Sequence, residues 1–232
     1  MKAVLDHIDH PAAHIQTFWF RPEKPVRYAA GQFTELALPH PNVDDRGDRR
    51  WFTFASSPTE ALLSITTKFP ASNISTFKQT LLSLWPGDSV TLAEPMGDFV
   101  LPKTATIPII FIASGIGITP ARSIIKYLFD TQEQRNITLL YAVHRPEDLA
   151  FTDIFEAYDM QYVPIAKEPA AGWHGEAGVL SAERIIKYAQ DKSNCLFYLS
   201  GPELMVESLA GSLAQRGIDK RNIATDFFPG YE

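Results

Sequence analysis

Up to about Pro102 the chain alternates apolar and polar positions in short runs, at residues 3–8, 15–20, 33–38, 51–55, 62–68 and 89–93. Pro22, Gly31, Pro41, Gly47, Pro58 and Pro86-Gly87 punctuate them, and period-two runs bounded by such residues predict strands. One stretch breaks the period. Phe77, Leu81, Leu82 and Trp85 recur at helical spacing behind Ser75, a residue type that caps a first turn, so a helix is predicted over 75–85. Six strands around one helix predict a small closed antiparallel barrel.

Beyond Pro102 the period changes. Residues 107–113 form an unbroken apolar run, the mark of a strand covered on both faces, and 120–129 carry Ile124, Ile125, Leu128 and Phe129 on a helical stripe. The same strand-then-helix pairing recurs at 137–143 and 149–158, at 161–165 and 182–190, and at 196–199 and 203–216, where Gly217 is the stop. Such alternation predicts a parallel sheet with helices on both faces. The expected fold class is therefore a two-domain α+β chain, with a β-barrel domain over 1–102 and an α/β domain over 103–232.

Composition narrows what such a chain can do. It has 232 residues, 45% of them hydrophobic and 21% charged, enough apolar surface to order two cores. A net charge of −6 with no basic block lacks the cationic footprint that nucleic acid needs. The single cysteine, Cys195, cannot close an internal disulfide or ligate an iron–sulfur cluster, and reads as a small core residue. His7, His10 and His14 fall on a strand and a turn, and read as isolated side chains rather than metal ligands. The first ten residues do not read as a secretory signal, and the apolar window 107–118 is too short to span about 30 Å of hydrocarbon. A soluble, cytoplasmic protein is the expectation.

Three segments could carry chemistry. The turn Ala113-Ser114-Gly115-Ile116-Gly117-Ile118-Thr119-Pro120 joins the first strand of the second half to its first helix, with Pro120 expected at the first helical position and Thr119 as its cap. Its glycines let a ligand approach the main chain, and the helix start offers N–H groups to a phosphate; a plain tight turn accounts for the same residues. Arg50-Trp51-Phe52-Thr53 supplies rings for a flat heteroaromatic ligand, a guanidinium for phosphate and a hydroxyl for a ring hydrogen bond, although an ordinary barrel strand also accounts for it. The helix start at Ser75-Thr76 could face an anion or be an ordinary N-cap.

In this order, these segments resemble the motifs of the ferredoxin-NADP reductase superfamily. Arg50-Trp51-Phe52-Thr53 stands where members carry Arg-x-Tyr-Ser, residues 72–75 where they carry a phosphate turn, and residues 115–120 where they carry Gly-x-Gly-x-x-Pro. Ser200-Gly201-Pro202-Glu203-Leu204-Met205 matches Cys-Gly-Pro-x-x-Met, and Phe227-Phe228-Pro229-Gly230-Tyr231 the aromatic tail. The resemblance implies an FAD-binding barrel followed by a pyridine-nucleotide domain, and an NAD(P)H oxidoreductase delivering hydride to flavin N5. Arg50, Ser75 and Thr76 would then meet the FAD diphosphate. Trp51 and Phe52 would meet the flavin, Thr53 would sit near N5, and Thr66 and Lys68 would lie by the adenosine or ribityl part. Gly115, Gly117 and Thr119 would bind the pyrophosphate side of the nicotinamide nucleotide, while Gly201, Pro202 and Met205 line the nicotinamide approach. Thr53, Ser200 and Asp226 are the implied catalytic residues, Asp226 as a proton-relaying carboxylate before a final strand, and Phe227, Phe228 or Tyr231 would cover the flavin, with Tyr231 the choice. Serine replaces the expected glycine at Ser72 and Ser114 and the expected cysteine at Ser200; the last change implies slower hydride transfer.

The second strand of the nucleotide domain ends in His144-Arg145-Pro146-Glu147-Asp148. Arg145 and His144 suit the 2′-phosphate of NADPH, while Glu147 and Asp148 suit the ribose hydroxyl of NADH; the balance is read toward NADPH. With no cluster ligands in this chain, the electron acceptor is expected to be external: a ferredoxin-like protein, an oxygenase component or a small oxidant. The alternative is a non-catalytic flavin-binding subunit docked to a larger redox complex.

Overall fold

The computed structural model describes residues 1–70, 72, 74–189 and 191–228. Tyr231 lies outside the described residues. The strands of the first half are β1 (Lys2–Ala12), β2 (Ile15–Pro22), β3 (Phe33–Ala37), β4 (Arg49–Thr53), β5 (Leu63–Lys68) and β6 (Ser89–Leu92). They form one antiparallel sheet in the order β4-β3-β6-β1-β2-β5. Its two edge strands meet at a Phe54–Ile65 bridge, which closes the barrel and removes free edges. Alternate residues point inward, so Leu5, Phe18, Phe20, Leu36, Ile65 and Leu92 fill the interior, with Phe77 and Leu81 of α1 (Thr76–Leu82) packed among them.

The helix α1 is shorter than its apolar spacing predicts. Ser83 ends it, and the Trp85 N–H turns to the Asp88 carboxylate at 2.7 Å, leaving the Trp85 ring 76% exposed. A turn acceptor thus overrides the helical stripe at its last position.

The second half runs β7 (Ile109–Ser114), α2 (Thr119–Thr131), β8 (Ile137–Val143), α3 (Thr152–Ala157), β9 (Gln161–Ala166), β10 (Glu176–Ala177), α4 (Ala182–Ile186), β11 (Leu196–Ser200), α5 (Glu203–Gln215) and β12 (Ile223–Asp226). Every pairing in its sheet is parallel, in the order β10-β9-β8-β7-β11-β12. The central strands are buried on both sides. Residues of α2 and α3 pack on one face around Phe111, Leu139 and Tyr141, and residues of α4 and α5 on the other around Ile112, Leu140 and Phe197. Two predicted helices are shorter than expected. Phe151 sits in the left-handed region at φ 63°, so α3 starts at Thr152 instead of 149, and α4 ends at Ile186. No helix among the described residues is long and apolar enough to cross a membrane.

The two sheets share one apolar seam. Ile15, Ala30 and Phe99 belong to the same cluster as Ile118, Ala121 and Ile124 of the second half. Gly31 makes this approach possible: its φ is +98°, and a Cβ there would lie 2.0 Å from the Phe99 carbonyl oxygen.

Candidate functional site

The seam ends where β4 of the barrel meets the carboxyl ends of β11 and β12. Thr53 is the last residue of β4 and pairs with Phe33 of β3. Ser200 and Asp226 are the last residues of β11 and β12 and are register partners. Asp226 therefore ends a strand instead of preceding one, and this register aims its side chain at the barrel. The Thr53 hydroxyl donates to Asp226 Oδ2 at 3.2 Å, and the Ser200 hydroxyl to the same oxygen at 3.4 Å. All three side chains are buried. Thr53 and Asp226 stand 173 positions apart in the chain, so each domain contributes to this one carboxylate.

Burial is the chief influence on that carboxylate. Desolvation pushes the Asp226 pKa up to about 6 against the pull of the two hydroxyl donors, with the nearby Asp98 charge adding to the rise. Beside it lies a small cleft of about 160 Å³ walled by Phe33, Trp51, Phe99 and Phe228, with Asp98 and Asp226 as its carboxylates. Trp51 and Phe228 approach at 6.1 Å between ring centroids, and each also meets Phe33. The opposite face of β4 carries Phe52, stacked on Phe77 at 6.0 Å, and Arg50, whose guanidinium lies 5.0 Å from the same ring. Trp51 and Thr53 thus serve the cleft and the junction, while Arg50 and Phe52 gather around Phe77.

The glycine turn is built for close backbone approach. Residues Gly115–Ile118 form a 3-10 turn and α2 begins at Thr119, so Pro120 is its second residue and Ile118, not Thr119, occupies the cap position. The Thr119 hydroxyl instead bonds the Ile116 carbonyl at 3.3 Å. A Cβ on Gly117 would lie 2.5 Å from the Gly201 backbone, and one on Gly201 (φ +153°) would lie 2.9 Å from Met205 Cε. Two turns at the carboxyl ends of adjacent strands β7 and β11 therefore touch main chain to main chain, and Pro202 caps α5 directly behind them.

Other predicted residues lie further out. Thr66 is buried with its hydroxyl 2.9 Å from that of Thr17. Lys68 reaches across the seam to Asp148 at 3.0 Å. Ser75 caps α1 by accepting from the Lys78 N–H, and the Thr76 N–H donates to Asp44. Arg145 is exposed, and Glu168 lies 3.3 Å from its Nε and 3.2 Å from His144 Nε2.

Motif and composition do not single out Arg122, a buried cation that, besides Lys68, ties the lobes together. It projects from α2 into the seam, donates to both Glu60 carboxylate oxygens and, at 2.8 Å, to the Ala55 carbonyl. The Trp19 and Phe151 rings flank it at 5.4 and 5.6 Å. The signal that could have found it is a charge in register with Ile118 and Ile125 on the buried stripe.

Residues 111–210 match the family model of the oxidoreductase NAD-binding domain. Among curated proteins, the chain is 23% identical over 235 residues to a flavohemoprotein of Bacillus cereus, covering 92% of this chain and 57% of that protein. Among solved structures, the Amycolatopsis cytochrome P450 reductase GcoB superposes with a TM-score of 0.82 at 22% identity, covering 98% of this chain and 70% of the other. A ferredoxin NADP+ reductase from Neisseria gonorrhoeae with bound FAD and NADP superposes with a TM-score of 0.80 at 20% identity, over 97% of each chain. The chain spans roughly two fifths to three fifths of the length of the curated relatives it matches. The matched nucleotide-binding half and the shared two-lobed fold converge: residues 111–210 form an oxidoreductase NAD-binding domain, and the whole chain has the fold of the ferredoxin-NADP reductase-like flavoprotein reductases.

Proposed function

We propose that the chain is an FAD-dependent oxidoreductase that takes hydride from NAD(P)H to flavin N5 and passes electrons to a separate acceptor, such as a ferredoxin-like protein, an oxygenase component or a small oxidant. The observation that carries this reading is the convergence of Thr53, Ser200 and Asp226 from both lobes on one buried carboxylate oxygen. The residues present suit the cofactors. Arg50, Ser75 and Thr76 offer a guanidinium, a hydroxyl and a main-chain N–H for a diphosphate, and the aromatic residues Trp51, Phe52 and Phe228 offer faces for a ring system. The glycine-only contact of Gly117 with Gly201 leaves backbone, not side chains, facing a nucleotide at the strand ends.

A bound flavin supplies the conversion between two-electron and one-electron transfer. The chain's own work is placement and proton handling. Gly115, Gly117 and Thr119 hold the pyrophosphate side of the nucleotide, and Gly201, Pro202 and Met205 shape the approach of its nicotinamide. Asp226, with its pKa near 6, holds or releases a proton close to neutral pH, and Thr53 Oγ1 is the hydroxyl through which that proton reaches the junction. Asp148 is engaged by Lys68 and by the Arg145 N–H at 3.3 Å, so one of the two acids suited to a ribose hydroxyl is already occupied. Arg145, exposed and paired through its Nε with the equally exposed Glu168, is the residue proposed to meet a 2′-phosphate, with NADPH as the donor.

Anaerobic titration of the FAD-reconstituted protein tests the reading. NADPH should bleach the flavin absorbance, with kcat/KM higher than for NADH. Bound flavin that neither nucleotide reduces would instead indicate a non-catalytic flavin-binding subunit, and failure to take up FAD would sink both readings.

A further inference from the structure

The loop joining β3 to β4 places the Asp44 carboxylate in contact with the residues that the oxidoreductase reading gives to the FAD diphosphate. Asp44 Oδ2 accepts from the Thr76 N–H at 3.1 Å and from the Arg46 guanidinium at 2.9 Å. Oδ1 accepts from the Arg46 N–H at 3.1 Å and lies 3.9 Å from Arg50 Nη2. A return bond runs from the Asp44 N–H to Thr76 Oγ1 at 3.1 Å. The same loop also holds Arg50, whose Nη1 donates to the carbonyls of Arg46 at 2.7 Å and Gly47 at 3.0 Å. Partial desolvation pushes the Asp44 carboxyl up, but the Thr76 and Arg46 donors outweigh it and hold the pKa at about 2, so the group is an anion throughout the working range.

A guanidinium, a second guanidinium and a main-chain N–H converging on a planar pair of anionic oxygens form the donor set that phosphate oxygens also select. We propose that Asp44 is an affinity-determining residue that competes with the FAD diphosphate for Arg50 and Thr76, so that cofactor binding requires the 40–48 loop to swing its carboxylate aside. This inference rests on the FAD-dependent reading above. The competition acts on the diphosphate end, because the groups that Asp44 engages are those given to the diphosphate and not to the ring system. It gives the protein a weaker and more readily exchanged flavin than Arg50, Ser75 and Thr76 would give by themselves.

Isothermal titration of the full chain with FAD and with riboflavin, which lacks the diphosphate, tests the proposal. The variants are Asp44→Asn and, as a control, Asp45→Asn, which removes the same charge from an exposed neighbouring position. Asp44→Asn should bind FAD about tenfold tighter, the scale of one charge-assisted contact that no longer has to be broken. Riboflavin affinity should not change. Asp45→Asn should shift FAD affinity by less than about twofold, since exposed charges are screened. Asp44→Ser, which keeps an acceptor for the Thr76 N–H, serves if the asparagine variant does not fold. Unchanged or weakened FAD binding by the Asp44 variants would overturn the proposal, showing that the carboxylate organises the loop and does not compete. An equal gain for riboflavin, or for Asp45→Asn, would overturn it as well. A wild-type chain that binds neither flavin would defeat the oxidoreductase reading itself, and the inference with it.

Discussion

Replacing Glu60 by Gln keeps the shape of the inter-lobe contact but removes the charge that neutralises Arg122. The Arg122 side chain is 5% exposed and that of Glu60 18%, so the guanidinium cannot turn to water. It would keep the Ala55 carbonyl and two ring faces, but lose its carboxylate partner. Breaking a buried pair by removing one partner costs about 3–5 kcal/mol, and the partial exposure of Glu60 brings the expected loss to about 2–3 kcal/mol. At about 2–4 °C per kcal/mol for a chain of this size, the melting temperature should fall by about 5–10 °C. Arg122→Met removes the charge itself and leaves Glu60 with the Ser57 N–H at 2.7 Å. The double variant should therefore lose less than the sum of the two single losses by at least about 1 kcal/mol. Urea unfolding followed by tryptophan fluorescence reports this directly, because the Trp19 ring lies against the guanidinium. A Glu60→Gln loss below about 0.5 kcal/mol, or strict additivity in the cycle, would refute the claim that this pair couples the lobes.

Asp226 sets a pH signature of the opposite sign to most carboxylates. Its folded pKa, about 6, lies above the ordinary 3.8, so the folded state binds the proton more tightly and the Asp226 contribution to stability falls as pH rises from about 4 to about 6, by about 3 kcal/mol in all. The difference in unfolding free energy between wild type and Asp226→Asn should follow that curve, with the variant the more stable protein at about pH 8; a difference that is flat with pH would contradict the burial argument. Gly117→Ala would push a Cβ to within 2.5 Å of the Gly201 and Ser200 main chain, where neither side can yield cheaply. It should lower stability by about 1–3 kcal/mol and weaken nucleotide binding more than FAD binding, as measured by thermal shift and by titration with NADP+. Equal stability of the alanine variant would show that the two turns are not in contact.

The strand and helix periods laid out both lobes because each element buries one face or both, and burial writes its period into neighbouring residues. The 107–113 run was legible as a double-covered strand, and β7 is buried at Ile109 through Ala113. What could not be read locally was where a hydrogen bond or a dihedral outcompetes the period. The Asp88 carboxylate draws the Trp85 N–H away from α1, and the positive φ of Phe151 delays α3, because either outweighs one apolar position. The short strand β10 carries too few residues to show any period.

The motif residues named the parts of the site, and the tertiary structure decided their company. Thr53, Ser200 and Asp226 were candidates through the resemblance of their motifs; only the closure of the barrel against the parallel sheet brought two hydroxyls to one carboxylate oxygen, and only burial raised its pKa. Arg122 and Asp44 show the converse. Asp44 carries no local signature, and Arg122 only the faint one of a charge on a buried helical stripe; the roles of both come from the residues that long-range packing sets against them. The chain's own order of apolar and polar positions determined the two architectures. Contacts between residues far apart in that order determined the chemistry at their junction, because a desolvated charge is defined by its neighbours in space and not by those along the chain.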